Sequence, residues 1–479
     1  MEEKSIAKNA ILNGIKTVVT MAFPVITFMY SSRVLLTDGV GKINFAKSFV
    51  AYFTILAMLG VVNYGTKEAS KIKEDKVTLS RFAHELLFIN IISTIFAYGL
   101  FLIIIQTHVL NEYRTLLLIN SLTIILTPLG MEWLYNALEE FAFITIRTCI
   151  VQGIGLICIF LFVHSAEDIY IYAFIQTMAA TGANVANLIH SKKLILYQNL
   201  DNYNIVRHIK PILIVFGMTL FIQIFTHLDT TMVGFMAGDT ATGLYTAANK
   251  MSSIIASLIT AIVMVFMPRL AMYSKRGNIE QIEKLSYRAI NCVFMIGMPA
   301  ALGVFLLSNP IIMLFSGADF IDAVITSKIL AWRILLVPLN SFIVLYLFIP
   351  INREKWDLIS TGLAAIVNFC MNLYLIPVLQ QNGAALATVI AEMVEMCINF
   401  VYLKKVMPIK EIGKYLWHYL IGCFYMVVIY GFISRWITNI YLLMVTSILL
   451  CAFGYFLILY YLKNPYLNNF LRFKEKKNK

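Results

Sequence analysis

The chain has 479 residues, of which 60% are hydrophobic and only 13% charged, and its mean hydropathy is +0.79. Ordinary globular domains are about 45–50% apolar and about 25% charged, and a soluble chain this apolar could not cover its own core with polar surface. The formal net charge of +12, from 38 Lys and Arg against 26 Asp and Glu, must therefore be read against a membrane.

Apolar runs near the ~20 residues that cross a bilayer as a helix recur along the whole chain. They do not alternate as ~10-residue barrel strands would. The first follows a mixed-charge start, runs to about Leu36 with Pro24 inside, and lacks a small-residue cleavage site, so it reads as a span and not a removable signal. In chain order the spans are 13–36, 43–63, 82–106, 115–134, 142–163, 169–189 and 211–236, then 247–268, 285–307, 326–349, 358–376, 384–402, 415–434 and 441–462. These fourteen spans predict an all-α polytopic membrane protein with both termini on one side.

Placing the termini in the cytoplasm puts 29 Lys and Arg at the inner face, counting Lys16 and Arg288 at the inner ends of their spans, and 3 (Lys42, Arg114 and Arg435) in the outer loops. That asymmetry is the positive-inside signal. It also assigns the basic excess to anionic lipid, so nucleic acid is not needed to explain it. The seven cysteines lie inside apolar runs without a CxxC pair, which reads as buried small hydrophobes and not as disulfides or metal ligands. The seven histidines show no ligand spacing, and there is no GxxxxGK[ST] for direct use of ATP.

The chain also repeats itself weakly. Gly41–Ala46 matches Gly243–Ala248 at an offset of 202, Asn136–Glu140 faces Pro350–Glu354 at 214, and Asn187–Lys193 matches Asn399–Lys405 at 212. The order and topological positions agree, which predicts two six-helix lobes of the same orientation, 1–189 and 211–405. Residues 190–210 would join them as a cytoplasmic linker, read from its Leu, Ile, Tyr, Lys and Arg as a helix on the inner surface. Residues 406–479 would hold an extra helix pair and a basic tail. Pro24, Pro128, Pro299 and Pro338 should kink their spans.

Charges within spans are functional candidates, because each costs about 2.5–3.5 kcal/mol at mid-membrane on insertion scales. The cations are Arg33, Lys47, Arg147, Lys250, Lys328 and Arg333; Lys328 lies near a span end and is read as snorkelling. Arg147 has no acid within i±3 or i±4 on its own helix. The clearest acids within spans, Asp229, Glu392 and Glu395, all lie in the second lobe. An Arg and Lys cavity suits a diphosphate, because Arg offers a planar fork to phosphate oxygens and Lys a point charge. Asp229 and Glu392 read either as ion-pair partners for cations or as groups that bind a coupling ion. Glu132, at the inner end of the fourth span, reads as a gate acid or a solvated charge.

Several stretches, taken as an ordered set, resemble bacterial polysaccharide flippases of the Wzx type. They are Lys8–Lys16, Phe23-Pro24, Ser32–Leu35, Gly41–Ala46, Glu132-Trp133, Leu138–Phe141, Asp229–Gly234, Gly243–Tyr245 and Asn382–Val389. That family belongs to the multidrug/oligosaccharidyl-lipid/polysaccharide (MOP) exporter superfamily. The resemblance implies MATE-like lobes around a central cavity and an alternating-access cycle in the bacterial cytoplasmic membrane. Its cargo would be an undecaprenyl-diphosphate-linked oligosaccharide, moved from inner to outer leaflet for surface polysaccharide assembly. It implies no catalytic residue or cofactor beyond Na⁺ or H⁺ as a coupling ion, and polysaccharide polymerase and glycosyltransferases as partners. The expected cavity cations are Arg33, Lys47, Arg147, Lys250 and Arg333, and the expected coupling or gating acids Asp229, Glu392 and Glu132. Two other readings remain open at this level. A cation-coupled multidrug antiporter would want acids in the first lobe. A membrane polymerase or ligase would want a longer surface loop than the roughly 21 residues available here.

Overall fold

The computed structural model describes residues 6–198, 200–348, 353–405 and 413–467. Part of the match at 350–354 and most of the basic C-terminal tail lie outside these residues. Among them the secondary structure is helical, and nine helical stretches are long and apolar enough to cross a membrane. Three of these, Lys16–Ile72, Gln223–Ser274 and Lys355–Leu403, each run through two predicted spans. The protein is a multi-pass α-helical membrane protein, and its helices are consistent with fourteen crossings.

The chain forms two compact units, Met1–Gly243 and Leu244–Lys479. The first holds α1 (Ile6–Met58), α2 (Val61–Ile72), α3 (Lys76–Ile104), α4 (Arg114–Leu129), α5 (Glu132–Ala137), α6 (Phe141–Phe162), α7 (Ile169–Thr181) and α8 (Ala183–Leu194), with the start of α9 (Val206–Val263). Helix α1 is central, packing against α3, α4 and α6, while α4 also packs on α7. Asp75 caps α3 by accepting from the Val77 and Thr78 amides at 3.0 and 3.2 Å, which satisfies two of its otherwise orphaned first-turn donors.

Three long helices are broken at one residue each. Leu36 in α1 has φ 59° and ψ −173°, and Gly238 in α9 has φ 86° and ψ −175°. The two are 202 residues apart, the offset of the Gly41 and Gly243 motifs, so the repeat is written in the backbone as well as in the sequence. That conformation is essentially reserved for glycine, and Leu36 adopts it with a side chain. The third break, at Gln380 (φ 50°, ψ −129°), divides α15 (Glu354–Leu403).

The second unit holds the rest of α9, then α10 (Met267–Lys275), α11 (Ile279–Leu306), α12 (Ser308–Phe315), α13 (Ala323–Leu330), α14 (Arg333–Phe342) and α15. Helices α11, α14 and α15 pack together, around a core that includes Ile290, Val293, Ile334, Leu339 and Phe342. The C-terminal pair, α16 (Leu416–Trp436) and α17 (Ile440–Tyr461), forms a hairpin. Gly422 and Gly454 allow its close approach: a Cβ at Gly422 would lie 2.5 Å from the Tyr455 ring, and one at Gly454 2.1 Å from the Tyr425 ring.

One expectation fails. The surface helix read over 190–210 is absent from the described residues between α8 and α9, where 195–198 and 200–205 are non-helical. The segment is tied instead to α3: the Leu196 amide donates to Ser80 Oγ at 2.8 Å and the Asn204 amide to Glu85 Oε1 at 2.5 Å. Glu85, whose side chain is fully buried, also accepts from Arg207 and pairs with His208, both at 2.7 Å. An amphipathic composition gave no sign that these polar groups would draw the backbone off a helix.

Candidate functional site

In the first unit a cluster forms where α1, α5, α6 and α8 meet, and a helix break builds it. Helix α4 carries Pro128, which has no N–H to donate, in its last turn and ends at Leu129. Met131 then takes a left-handed conformation (φ 44°, ψ 39°) before the six-residue α5. Strain of this kind persists only where the surroundings over-determine it. Here the buried Asn187 of α8 donates from Nδ2 to the Gly130 carbonyl at 2.7 Å, and Tyr135 of α5 donates to the Asn187 carbonyl at 2.6 Å. The turn delivers Glu132, the first residue of α5, to Lys16 of α1, with Nζ to Oε1 at 2.8 Å.

Arg147 lies two turns into α6, and Glu132 and Tyr135 are within electrostatic reach of its guanidinium. Its Nε is buried and has no hydrogen-bond partner among the described residues. His190 of α8 stacks on Phe143 of α6 (centroids 3.9 Å, planes 15° apart), and Tyr135 stacks on Phe143 at 5.5 Å. The cluster thus presents Lys16 and Arg147 to one carboxylate, over an aromatic wall. Such a set can hold an anion with several oxygens.

The other predicted cations lie elsewhere. Arg33 is exposed on α1 and donates to the Met29 carbonyl of its own helix. Lys47 donates to Gln176 Oε1 of α7, and Gln176 Nε2 in turn donates to Tyr172 Oη at 3.0 Å. In the second unit Arg333, at the start of α14, binds Glu392 of α15 through Nε at 2.7 Å and Asn249 of α9 through Nη1. Only 16% of the Arg333 side chain and 4% of Glu392 are exposed, so this pair is largely desolvated. Lys250, next to Asn249, is partly buried, and Asp229 is buried. Of the eight residues singled out, the structure therefore brings together Glu132 with Arg147, and Arg333 with Glu392.

Sequence reasoning missed several participants. Lys16 was counted only as a topology charge, and Asn249 beside Lys250 was a visible polar residue in an apolar run. A second polar set lies at the opposite end of the first unit's helices. Lys42 bridges Asp38 at 3.2 Å and Glu112 at 3.0 Å, and Tyr113 donates to Asp239 at 2.8 Å. Burial and the Asp239 carboxylate push the Tyr113 phenol above its ordinary range. The same end holds a backbone crossing, in which a Cβ on Gly41 would lie 1.8 Å from the Asp239 carbonyl oxygen and one on Gly243 2.1 Å from that of Thr37.

Helices broken at repeat-equivalent positions, with charged side chains inside apolar spans, define a multi-pass membrane protein built on an internal repeat. The chain belongs to the polysaccharide biosynthesis protein family, whose model matches residues 6–274. It is similar to a protein of Escherichia coli K12 named as an O-antigen transporter, with 21% identity over 76% of this chain and 89% of that one. A Shigella dysenteriae protein of the same name is 22% identical over 70% of this chain and 83% of its own length. Among solved structures, the lipid II flippase MurJ in an inward closed conformation matches 94% of this chain and 98% of its own, with TM-score 0.73 and 18% identity. An inward-facing multidrug resistance MATE family transporter matches 83% of this chain and 97% of its own, with TM-score 0.62 and 16% identity. At these identities the structural likeness establishes the fold alone.

Proposed function

We propose that the protein is a flippase for a lipid-linked oligosaccharide, moving an undecaprenyl-diphosphate-linked repeat unit from the inner to the outer leaflet of a bacterial cytoplasmic membrane. Both termini face the cytoplasm in this reading, as the 29 to 3 distribution of Lys and Arg favours. The observation that carries it is Arg147: a guanidinium within a span, one nitrogen buried with no hydrogen-bond partner among the described residues, on a helix that has no acidic residue. Such a group favours an anionic cargo and disfavours a lipophilic cation. The names of the curated relatives and of MurJ point the same way.

Alternating access would expose the Lys16 and Arg147 cluster to the inner leaflet, where the diphosphate headgroup lies. Na⁺ or H⁺ coupling would fall to a buried acid within a span, with Asp229 and Glu392 the candidates. Polymerase and glycosyltransferases would act before and after the transfer. The test is a deletion strain complemented by wild type or by Arg147→Ala. Wild type should clear lipid-linked repeat units from the inner leaflet and restore surface polymer, and the variant should do neither. Purified protein that carries ethidium in a saturable, proton-coupled manner and has no affinity for a polyisoprenyl diphosphate would replace this reading with the antiporter.

A further inference from the structure

The first unit contains an acid placed where the cargo's own negative charge should go. Glu132 reaches this position only because α4 breaks at Gly130 and Met131, and the break is clamped from α8 by Asn187. An uninterrupted helix would carry residue 132 on past the turn, without the left-handed step that sets its direction. Its carboxylate meets Lys16 at 2.8 Å and lies within electrostatic reach of Arg147. One negative group therefore serves two cations, and the service is incomplete: Arg147 Nε is buried with no hydrogen-bond partner among the described residues. The neighbouring polar groups are already engaged, since Tyr135 donates to the Asn187 carbonyl and Asn187 Nδ2 to that of Gly130.

Exposure makes the arrangement exchangeable. The Glu132 side chain is 44% exposed, against 20% for Lys16. An ion pair with one arm in water is worth little, so an incoming anion displaces it at small cost. A diphosphate brings more acceptor oxygens than a carboxylate and can meet both the Lys16 ammonium and the Arg147 fork. We infer that Glu132 is an internal substitute for the diphosphate, which displaces it from Lys16 and Arg147 on binding and yields the cations back to it on release. Glu132 is thus a positioning and release residue that never touches the glycan. By returning to Lys16 it keeps the cluster from holding the leaving diphosphate too tightly. This inference rests on the flippase reading, and its test separates the two.

The experiment uses full-length protein in nanodiscs, with farnesyl diphosphate as the polyisoprenyl diphosphate probe. A water-soluble carbodiimide should join Lys16 to Glu132 as a zero-length amide, quantified by mass spectrometry against the exposed Lys284 and Glu280 pair, whose ends are 2.5 Å apart. Saturating farnesyl diphosphate should lower the Lys16–Glu132 yield relative to that reference, and sulfate at equal ionic strength should not. Glu132→Gln should bind the probe about fivefold more tightly, the scale of one partly exposed ion pair, and export less polymer because release slows. If that variant fails to fold, the wild-type cross-link still decides. Wild type that does not bind farnesyl diphosphate overturns the flippase reading and this inference with it. Wild type that binds the probe with an unchanged cross-link, or a folded Glu132→Gln with unchanged or weaker affinity, overturns the inference alone.

Discussion

Gly41 and Gly243 make the same contact twice. Each presses its Cα on the backbone of the residue four positions before the other: Gly41 on Asp239 and Gly243 on Thr37. All four positions obey the offset of 202, so this is a local pseudo-two-fold contact built from two copies of one motif. A methyl group at either glycine would fall within 2.1 Å of a carbonyl oxygen, and a backbone carbonyl cannot swing aside as a side chain can.

Gly41→Ala and Gly243→Ala should therefore each loosen this crossing, at a cost of about 1–3 kcal/mol for overpacking. The two changes act on one contact, so the double variant should cost less than the sum of the singles. Thr37→Cys, buried in the wild type at 8% exposure, should become reactive to a membrane-impermeant maleimide in the Gly243→Ala background. Additive stability losses with Thr37→Cys still unreactive would show that the contact is not shared.

Leu36 and Gly238 lead to a prediction of opposite sign. Both hold the extended left-handed conformation, but only Leu36 carries a Cβ there. Strain of this type is about 1–3 kcal/mol. Leu36→Gly should raise the thermal midpoint or leave it unchanged despite losing an apolar side chain, and Gly238→Leu should lower it. A clear loss on Leu36→Gly would mean that its side chain, 44% exposed, anchors the break by packing.

These breaks also show what was legible in the sequence. Hydropathy reports burial averaged over a span, so the predicted spans fall on helices even where the backbone breaks inside one, as at Gly130 and Met131. The Gly41 and Gly243 motifs marked the repeat because close backbone approach demands glycine. Met131 and Leu36 carried no such mark: nothing in their residue types announces a positive φ that tertiary contacts impose. The pairing of Arg333 with Glu392, 59 residues away, was open for the same reason, since sequence shows which charges are buried and not which of them meet. Lys16 was hidden differently, because a lysine at a span end is what topology alone would place there.

Orientation can be checked directly. In a Cys-free background, a cysteine at Asn111 should be labelled by an impermeant maleimide in intact cells, and one at Lys73 only after permeabilisation. Lys73 lies at the end of α2 and pairs with Glu139 at 3.0 Å, and Asn111 is exposed between α3 and α4. Labelling of position 73 in intact cells would invert the topology and place the Lys16 and Arg147 cluster at the outer leaflet, against an inner-leaflet entry.

Glu85 should behave as a structural acid. Its side chain is fully buried and accepts from the Asn204 amide, Arg207 and His208, while His208 Nδ1 faces the Tyr64 hydroxyl at 2.7 Å. Glu85→Ala strands these donors and should cost about 3 kcal/mol, in the range for removing one partner of a buried pair. Limited proteolysis between α8 and α9 should accelerate in the variant. Unchanged cleavage there would mean that the segment is held by other contacts, such as Ser80 to Leu196.

Arg333 and Glu392 supply the test that separates an ion pair from a coupling site. The pair is largely desolvated, and Arg333 is also held by Asn249. Asn340 Nδ2 adds a bond to the Glu392 carbonyl at 3.2 Å, which ties α14 to α15 at the same level. Removing one charge from such a pair leaves the other buried and should cost about 3–5 kcal/mol, whereas removing both is often close to neutral. Glu392→Gln and Arg333→Gln should each lower stability and polymer export, and the double variant should recover much of both. A coupling acid behaves otherwise: without Glu392 no ion could bind, and deleting Arg333 as well could not restore transport. Recovery of export in the double variant would therefore assign Glu392 to the architecture of the second unit and leave Asp229 as the acid to test for coupling. Recovered stability without recovered export would assign the coupling role to Glu392 instead, with Arg333 as the group that tunes it.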